Sequence, residues 1–231
     1  IIIMGTSYNP RIVTDGLVLC LDAANKRSYP GAGNTWTDLT ANKYNGALTN
    51  GPTFNSANGG SLIFDGTDDL CRTTLPASEL DLDCTVIVTC SVAAVGSIES
   101  TANRAFTLDR TSGSTKWTIG TRRETTLFQF AGAGGDDNST TSYFSYSLNE
   151  IFQAAVVVSG SGHRLYKNGN LKSSGSLTGD NSSFSFAAVG CRIIKNDRHW
   201  NGKIFNVTAY NRQLTDAEIR QNYLATKGRY Q

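Results

Sequence analysis

Residues 84–92 carry the strictest pattern in the chain and constrain its fold more than any other segment. The even-numbered positions from Cys84 to Val92 are all Cys or Val, and they alternate with Thr, Ile and Ser. Side chains of a strand point alternately to its two faces, so this pattern predicts a strand that buries one face in a core. Further apolar runs with strand character recur at 17–21, 61–64, 105–109, 116–120, 126–130, 151–158, 183–191 and 203–210.

The composition and one dipeptide indicate how these strands are joined. Charged residues make up only 17% of the chain, and 23 of its 231 residues are Gly, which is typical of many short strands linked by tight turns. Asn168-Gly169, between Tyr166 and Leu171, predicts a β-hairpin with a type I′ turn, because both turn residues must tolerate positive φ. An all-β antiparallel sandwich or jelly roll accommodates these features.

The one helix that the sequence predicts lies near the C-terminus. Thr215 and Glu218 have the spacing of a capping box, in which each side chain accepts a hydrogen bond from the other residue's backbone N–H. We expect the helix to end at Gly228. The apolar stripe with which it would pack on the sandwich comprises Ile219, Tyr223 and Leu224.

Charge and cysteine content exclude several classes of function. The chain carries 21 basic and 19 acidic residues, a net charge of +2, and no long basic run. This disfavours nucleic-acid binding and a polybasic membrane anchor. The cysteines have no metal-binding spacing, and we expect them to be free thiols of a protein that folds in a cytoplasm: Cys20, Cys71, Cys84, Cys90 and Cys191.

The N-terminus lacks the basic start and apolar core of a signal peptide. We expect Met4 to be the initiator, with Ile1, Ile2 and Ile3 an addition of other origin. No stretch approaches the roughly 20 apolar residues of a membrane helix. These features predict a soluble protein that would leave a cell by a route such as lysis.

Several short motifs, in a fixed order, give the chain a family resemblance. The early ones are 15–25 (DGLVLCLDAAN), 36–39 (WTDL), 51–54 (GPTF) and 62–69 (LIFDGTDD). The later ones are 166–169 (YKNG), 200–204 (WNGKI) and 210–215 (YNRQLT). Together they resemble the laminin G-like, concanavalin A-like jelly-roll family. The resemblance implies a single β-sandwich over 15–231 with a short C-terminal helix, preceded by an extended arm over 1–14.

The motifs at 15–25, 51–56 and 64–68 resemble more narrowly the virion structural proteins of tailed bacteriophages. This implies a non-enzymatic protein that assembles in the host cytoplasm and decorates the capsid, tail or fibre. Its partners would be other virion proteins, and a homo-oligomer would be compatible with that role. An extended arm can add to a neighbour's sheet, and we expect partner contacts from Tyr8, Asn9, Pro10, Arg11 and Ile12.

A lectin-like carbohydrate-binding module is the alternative from a different class, and it is compatible with a place on a virion. Such a site needs exposed aromatic rings beside polar groups. The candidates are Trp117, Arg122, Arg123, Tyr143, Tyr146 and Trp200. Large aromatic side chains are usually mostly buried, so a core role is favoured over glycan binding for the tryptophans.

Two acidic clusters have the oxygen-rich character that Ca²⁺ prefers. They comprise Asp65, Asp68 and Asp69, and Asp136 with Asp137. Asp also fills turns for local backbone reasons, and that interpretation is favoured for both clusters.

A glycoside hydrolase or lyase of jelly-roll type is the remaining alternative. It requires two carboxylates facing one groove. Glu79, Asp81 and Asp83 alternate, but they precede a strand and are expected to form a solvated edge. His163 and His199 have no nearby nucleophile pattern, so we expect the chain not to be an enzyme.

Overall fold

The computed structural model describes residues 10–80, 83–95, 103–110, 115–122, 124–132, 142–177 and 184–230. These residues form sixteen strands and one α-helix, α1 (Asp216–Thr226). Every strand pairing is antiparallel, and the strands form two sheets. Short 3₁₀ segments lie at Ala57–Gly59, Ala77–Glu79, Ile193–Lys195 and Lys227–Arg229.

Sheet A runs in the order β14-β13-β12-β7-β16-β5-β4, with β1 beside β16. Its strands are β1 (Leu17–Asp22), β4 (Thr53–Asn55), β5 (Ser61–Asp65), β7 (Cys84–Val92), β12 (Phe152–Val158), β13 (Gly162–Lys167), β14 (Asn170–Ser176) and β16 (Asn201–Tyr210). The long β16 has β7 on one side. On its other side, its first half pairs with β5 and its second half with β1.

Sheet B runs in the order β11-β10-β9-β8-β15-β6-β3-β2. Its strands are β2 (Thr35–Trp36), β3 (Gly46–Thr49), β6 (Leu70–Thr73), β8 (Arg104–Asp109), β9 (Thr115–Thr121), β10 (Leu127–Ala131), β11 (Ser142–Ser145) and β15 (Phe186–Val189). The two sheets confirm the predicted all-β antiparallel sandwich with a short C-terminal helix.

The core between the sheets is apolar and rich in aromatic rings. As predicted, the even-numbered residues of β7 enter this core, while Ile87 joins a separate cluster on the outer face of sheet A. Phe128 lies 5.2 Å from Phe144 and 5.2 Å from Phe152 between ring centroids. Offset and edge-on contacts of this kind contribute beyond the burial of their area.

Several strands escaped prediction because they are short or lack an apolar pattern. β2, β3 and β4 have two to four residues each. β6 contains Arg72, and β11 has two adjacent aromatic residues between two serines. Such segments form strands because a longer neighbour offers a paired edge, which local sequence does not reveal.

The hairpin at Asn168-Gly169 is confirmed. Both residues have positive φ, 53° and 75°, as a type I′ turn requires. The Asn168 side chain also accepts a hydrogen bond from the Gln153 backbone N–H (2.9 Å), which ties the turn to β12.

The capping box at the start of α1 is confirmed as well. Thr215 Oγ1 accepts from the Glu218 N–H (3.3 Å), and Glu218 Oε2 accepts from the Thr215 N–H (2.8 Å). Arg212 also donates to both carboxylate oxygens of Glu218 (2.6 and 3.1 Å). The bond to Arg212 and the capping bond together lower the pKa of Glu218 to about 2.

The predicted apolar stripe of α1 is only partly right. Ile219 is buried, but Tyr223 and Leu224 are half-exposed, and the other buried helix residues are Asn222 and Thr226. The helix ends at Thr226, before the 3₁₀ segment that contains Gly228. The face toward sheet A is therefore polar at its C-terminal end, because the sheet there presents polar side chains to it.

The described part of the arm lies against its own domain. The Val13 N–H donates to Asn222 Oδ1 (2.7 Å), and the Val13 carbonyl accepts from Tyr210 (3.0 Å). Gln221 on α1 donates to the Arg11 carbonyl (2.8 Å). Pro10 and Arg11 are exposed and Ile12 is half-buried, whereas Tyr8 and Asn9 lie outside the described residues.

All five cysteines are buried and outside any disulfide, which agrees with the thiols expected from the sequence. Burial raises the pKa of the Cys71 thiol to about 12, so it stays protonated at neutral pH. Within the described residues, no helix has the length and hydropathy needed to cross a membrane.

Candidate functional site

One end of sheet B carries an exposed aromatic ring and, on the far side of the neighbouring strand, an arginine. Tyr143, on the edge strand β11, is 47% exposed. Ser145 on the same strand is exposed, and Leu127 on β10 is half-buried. Arg122, which follows β9, is half-buried and donates its backbone N–H to the Leu127 carbonyl (2.7 Å). We call Arg122, Leu127, Tyr143 and Ser145 the edge surface.

Strand alternation places these side chains together. Phe128 and Phe144 pack in the core between the sheets, so their neighbours Leu127, Tyr143 and Ser145 point outward. Leu127 pairs with Ser145 in the β10–β11 register. Arg122 follows β9 and is level with Leu127 and Ser145, so its backbone lies about 10 Å from that of Ser145, two strand spacings away. Tyr143 lies two residues further along β11, opposite Gln129.

Three of the six predicted glycan-binding residues are not at the surface. Trp117 and Trp200 have no exposed area, and Tyr146 is 5% exposed. A sugar cannot stack on these rings, since neighbouring side chains already cover them. The core role favoured for the tryptophans is confirmed for both. Arg123 lies outside the described residues, so Arg122 and Tyr143 are the predicted residues that remain on the edge surface.

Asp65, Asp68 and Asp69 converge in the turn after β5. One carboxylate oxygen from each residue lies within 4.8 Å of those of the other two, as the closeness of the three residues in the sequence predicted. Part of this arrangement is local turn chemistry, because Asp65 Oδ1 accepts from the Thr67 N–H (2.7 Å) and Asp69 Oδ2 accepts from the Asp65 N–H (3.0 Å).

The electrostatics of the cluster suit a cation. The pKa of Asp69 is raised by burial and by the negative charges of Asp65 and Asp68. Three carboxylates at this spacing could hold Ca²⁺, which takes six to eight oxygen ligands. The backbone carbonyl oxygen of Asp69 already has a polar neighbour, because His199 Nδ1 lies 3.3 Å from it. Asp136 and Asp137 lie outside the described residues.

A further contact on the outer face of sheet B, between an exposed arginine and a half-buried phenylalanine, was not predicted. The Arg72 guanidinium lies 4.2 Å from the ring centroid of Phe186, on the outward faces of the adjacent strands β6 and β15. The two residues are 114 positions apart in the sequence, so no local pattern could have indicated the contact.

A protein-family model described as the concanavalin A-like lectin/glucanases superfamily matches residues 74–220, well over half of the chain. The chain belongs to this superfamily. No curated protein matches it in sequence.

Solved structures resemble this superfamily member at low identity. Trypanosoma rangeli sialidase in complex with sialic acid is 16% identical, with a TM-score of 0.68 over 96% of this chain and 36% of the sialidase. Domain 4 of AbnA, a GH43 extracellular arabinanase from Geobacillus stearothermophilus in complex with arabinotriose, is 14% identical, with a TM-score of 0.65 over 94% of this chain and all of that domain. The botulinum neurotoxin type G receptor binding domain is 13% identical, with a TM-score of 0.59 over 90% and 51%.

The chain therefore spans about a third of the length of the sialidases that it resembles. At these identities the likeness concerns the fold.

The acidic residues that precede β7 form hydrogen bonds with other parts of this superfamily member. Glu79 Oε1 accepts from the Tyr44 hydroxyl (2.9 Å), and Glu79 Oε2 accepts from Asn211 (3.4 Å). Asp83 accepts from Gln213 (3.1 Å). These bonds tie loops together at a solvent-accessible place, since Asp83 is exposed and Glu79 half-buried. Asp81 lies outside the described residues.

A serine and a histidine meet inside the sandwich, which the sequence pattern did not indicate. His163 Nε2 lies 2.7 Å from Ser142 Oγ, and the His163 ring lies 4.4 Å from that of Phe130. His163 Nδ1 has no hydrogen-bond partner within the described residues, so no third group orients the imidazole as in a catalytic triad. Both residues are buried, and burial lowers the pKa of His163 to about 4.

Proposed function

We propose that this chain is a non-enzymatic carbohydrate-binding domain on the virion of a tailed bacteriophage, where it decorates the capsid, tail or fibre. The observation that carries the binding proposal is the exposed ring of Tyr143 on the edge surface. Sugar rings stack on aromatic side chains that are anchored but open on one face, and nearby polar groups then fix the orientation.

The arrangement of the edge surface supports recognition of a carbohydrate. Tyr143 offers an aromatic face and the nearby Ser145 a hydroxyl. Arg122, about 10 Å from Ser145 across two strand spacings, offers several donors. The strands beneath are fixed by the aromatic core around Phe128 and Phe144, so the surface is preorganised. Structural neighbours of the chain were solved with sialic acid and arabinotriose, which favours the same ligand class here.

The contacts of the acidic residues support the non-enzymatic part of the proposal. Glu79 and Asp83 hold loops through their carboxylates, and Glu218 is committed to Arg212 and the helix cap. A glycosidase needs a carboxyl pair free to exchange protons or attack the sugar. Carboxylates bound in this way are poorly suited to that task.

The virion role is supported by the motifs at 15–25, 51–56 and 64–68, which resemble virion proteins of tailed phages. Buried free thiols are compatible with assembly in a host cytoplasm. On a particle the many copies of such a domain would add avidity to a weak site. Other virion proteins would be its structural partners.

A glycan array tests the binding proposal. We expect the wild type, displayed multivalently, to bind a subset of glycans, and Tyr143→Ala to weaken that binding at least tenfold, about 1.4 kcal/mol. Arg122→Ala should weaken it less. Leu171→Ala provides the matched control, because Leu171 is 48% exposed on sheet A and should leave binding unchanged. Equal binding by the wild type and Tyr143→Ala would refute the assignment of the surface.

Mass spectrometry and cryo-electron microscopy of purified particles test the virion proposal. We expect the chain in the particles at a stoichiometric copy number, with density on the outer surface. Its absence from particles produced in a host that expresses it would refute this part of the proposal and leave the glycan experiment valid.

A further inference from the structure

Two side chains of β13 hold β11, the edge strand that carries Tyr143, against sheet A. His163 Nε2 lies 2.7 Å from the hydroxyl of Ser142, the first residue of β11. Lys167 Nζ donates to the backbone carbonyl of Ser145 (3.0 Å), the last residue of the strand. We call the first contact the buried link and the second the surface link. Among the described strands β11 pairs with β10 alone, so the two links fix its ends relative to sheet A.

The described residues that enclose the buried link are uncharged. His163 is 5% exposed, and Ser142 has no exposed area. The His163 ring lies 4.4 Å from the ring of Phe130 on β10. Val158 of β12 and Gly175 of β14 lie opposite His163 in the two strand registers. None of these neighbours offers a carboxylate that could balance the charge of an imidazolium ring.

The charged residues of β13 are engaged elsewhere. Arg164, next to His163, forms an ion pair with Asp216 of α1 on the outer face of sheet A. Lys167 forms an ion pair with Glu150 (2.7 Å) beside the surface link. His163 is therefore the titrating group of the buried link.

The surroundings of His163 suit a neutral imidazole but not an imidazolium. A neutral ring has one N–H group and one bare nitrogen, and the Ser142 hydroxyl can pair with Nε2 in either state. An imidazolium donates from both nitrogens, but Nδ1 is buried and has no partner among the described residues. A buried donor without an acceptor destabilises the closed arrangement. A second proton therefore favours an arrangement in which the ring reaches water.

We propose that acid opens the buried link, releases the first end of β11 and thereby weakens the binding of glycans at the edge surface. This inference rests on the proposed function, since it concerns the regulation of the same site. Tyr143 directly follows Ser142, so separation of Ser142 from His163 frees the ring on which a sugar would stack. Phe144 stays stacked on Phe128, with 5.2 Å between ring centroids, and retains the second half of the strand.

The pH range of the opening follows from burial of the ring. In the closed arrangement burial lowers the pKa of His163 to about 4 from its ordinary 6.5, whereas a ring in water keeps the ordinary value. The closed arrangement is fully favoured above about pH 6.5, and its advantage falls as the pH drops to about 4. The difference of about 2.5 between the two pKa values allows acid to raise the open population by up to about 300-fold.

Hydrogen exchange of the full chain, followed by NMR, tests the opening. The Tyr146 N–H donates to the Thr126 carbonyl (3.0 Å), and alternation along this antiparallel pair gives the Ser142 N–H a partner on β10. We expect the protection factor of the Ser142 amide to fall at least tenfold between pH 7 and pH 4.5. It should stay below that of Val88, on the central strand β7, at both pH values. Equal protection of the two amides would mean that β11 opens by global unfolding, and unchanged protection of Ser142 would mean that acid does not open it. Either result overturns the proposal.

Two variants connect the opening to one histidine. His163→Gln keeps a side chain that can bond to Ser142 but does not titrate, so the protection of Ser142 should change less than twofold between pH 7 and pH 4.5. His199→Gln, which replaces the other histidine of the chain, is the matched control and should keep the pH dependence of the wild type. A His163→Gln variant that retained this dependence would refute the role of His163.

The glycan array, read at pH 7 and at pH 4.5, separates this inference from the proposed function. We expect the affinity of the wild type to fall at least fivefold at pH 4.5, and that of His163→Gln to fall less than twofold. Equal binding by the wild type at the two pH values would overturn the regulation and leave the proposed function intact. An absence of binding at pH 7 would refute the proposed function and this inference together.

Discussion

Two buried layers of this protein are built in opposite ways. The layer between the sheets is apolar and contains Trp36, Trp117 and Trp200 with no exposed area. The layer between sheet A and α1 buries hydroxyls and amides, and the amides include those of Asn222 and Gln153. The first layer is stabilised by the burial of apolar surface, which is non-directional. The second depends on individual hydrogen bonds, so one missing partner is felt locally.

The difference explains where cavities occur. Apolar side chains of varied size fill the first layer at the density typical of protein interiors. In the second layer polar side chains must satisfy bond lengths and angles, and this leaves the spaces beside Gln153. The two cavities lined by Gln153 therefore lie in the polar layer, while the apolar layer provides a rigid support for both faces.

The largest expected effect is the loss of an aromatic residue from the apolar layer. Trp200 lies edge-on to Phe128, with 6.4 Å between ring centroids. We expect Trp200→Ala to lower the free energy of unfolding by about 3–5 kcal/mol, measured by urea denaturation, because it leaves a large cavity. Leu171→Ala, at an exposed site, should change it by less than about 0.5 kcal/mol. A loss below about 1 kcal/mol for Trp200→Ala would contradict the contrast between the layers.

The next effect concerns the histidine inside the apolar layer. The pKa of His163 is about 4 in the folded chain, against 6.5 as its ordinary value. The unfolded chain therefore binds the proton first as the pH falls, and stability is lost between about pH 6.5 and pH 4, by roughly 3 kcal/mol in total. Urea denaturation at several pH values measures this loss.

His163→Gln should flatten the pH dependence in that window. The Glu218 pKa, lowered to about 2 from 4.5, contributes stability that is lost at lower pH, between about pH 4.5 and pH 2. A wild-type stability that stayed constant from pH 6.5 to pH 4 would show that His163 is not held neutral by burial.

A smaller effect is expected from the hydrogen-bond network of the polar layer. Asn222 accepts from the Val13 N–H (2.7 Å) and donates to the Tyr210 hydroxyl (3.1 Å). Asn222→Leu keeps the volume but leaves the Val13 N–H without its acceptor, so we expect a loss of about 1–3 kcal/mol. Hydrogen exchange at Val13 should also accelerate. Gln221→Leu, its neighbour on α1, is the control and should cost less, and equal costs would contradict the role of Asn222.

The smallest effect is expected at the start of α1. Thr215→Ala removes the side-chain acceptor of the capping box and should cost about 1 kcal/mol of stability. Thr49→Ala, at an exposed strand end, gives the background cost of shortening a threonine. If the two variants were equally stable, the packing of Ile219 rather than the cap would fix the helix start.

The sequence alone determined the features that depend on neighbouring residues in the chain. The alternation in 84–92 predicted β7 and both of its faces, since side-chain direction has period two along any strand. Asn168-Gly169 predicted its turn because few residues adopt positive φ. Thr215 and Glu218 predicted their cap because both groups lie within one helical turn.

Only the tertiary structure decided which residues meet across the chain. The Val13–Asn222 bond spans 209 positions, and Ser142 reaches His163 from another sheet. Whether Tyr143 was exposed and Trp117 buried depended on which face of each strand met the other sheet. Local propensity cannot specify such contacts, because burial and hydrogen-bond partners depend on elements distant in sequence. The polar face of α1 was missed for that reason, since the polar outer surface of sheet A at that position is what permits it.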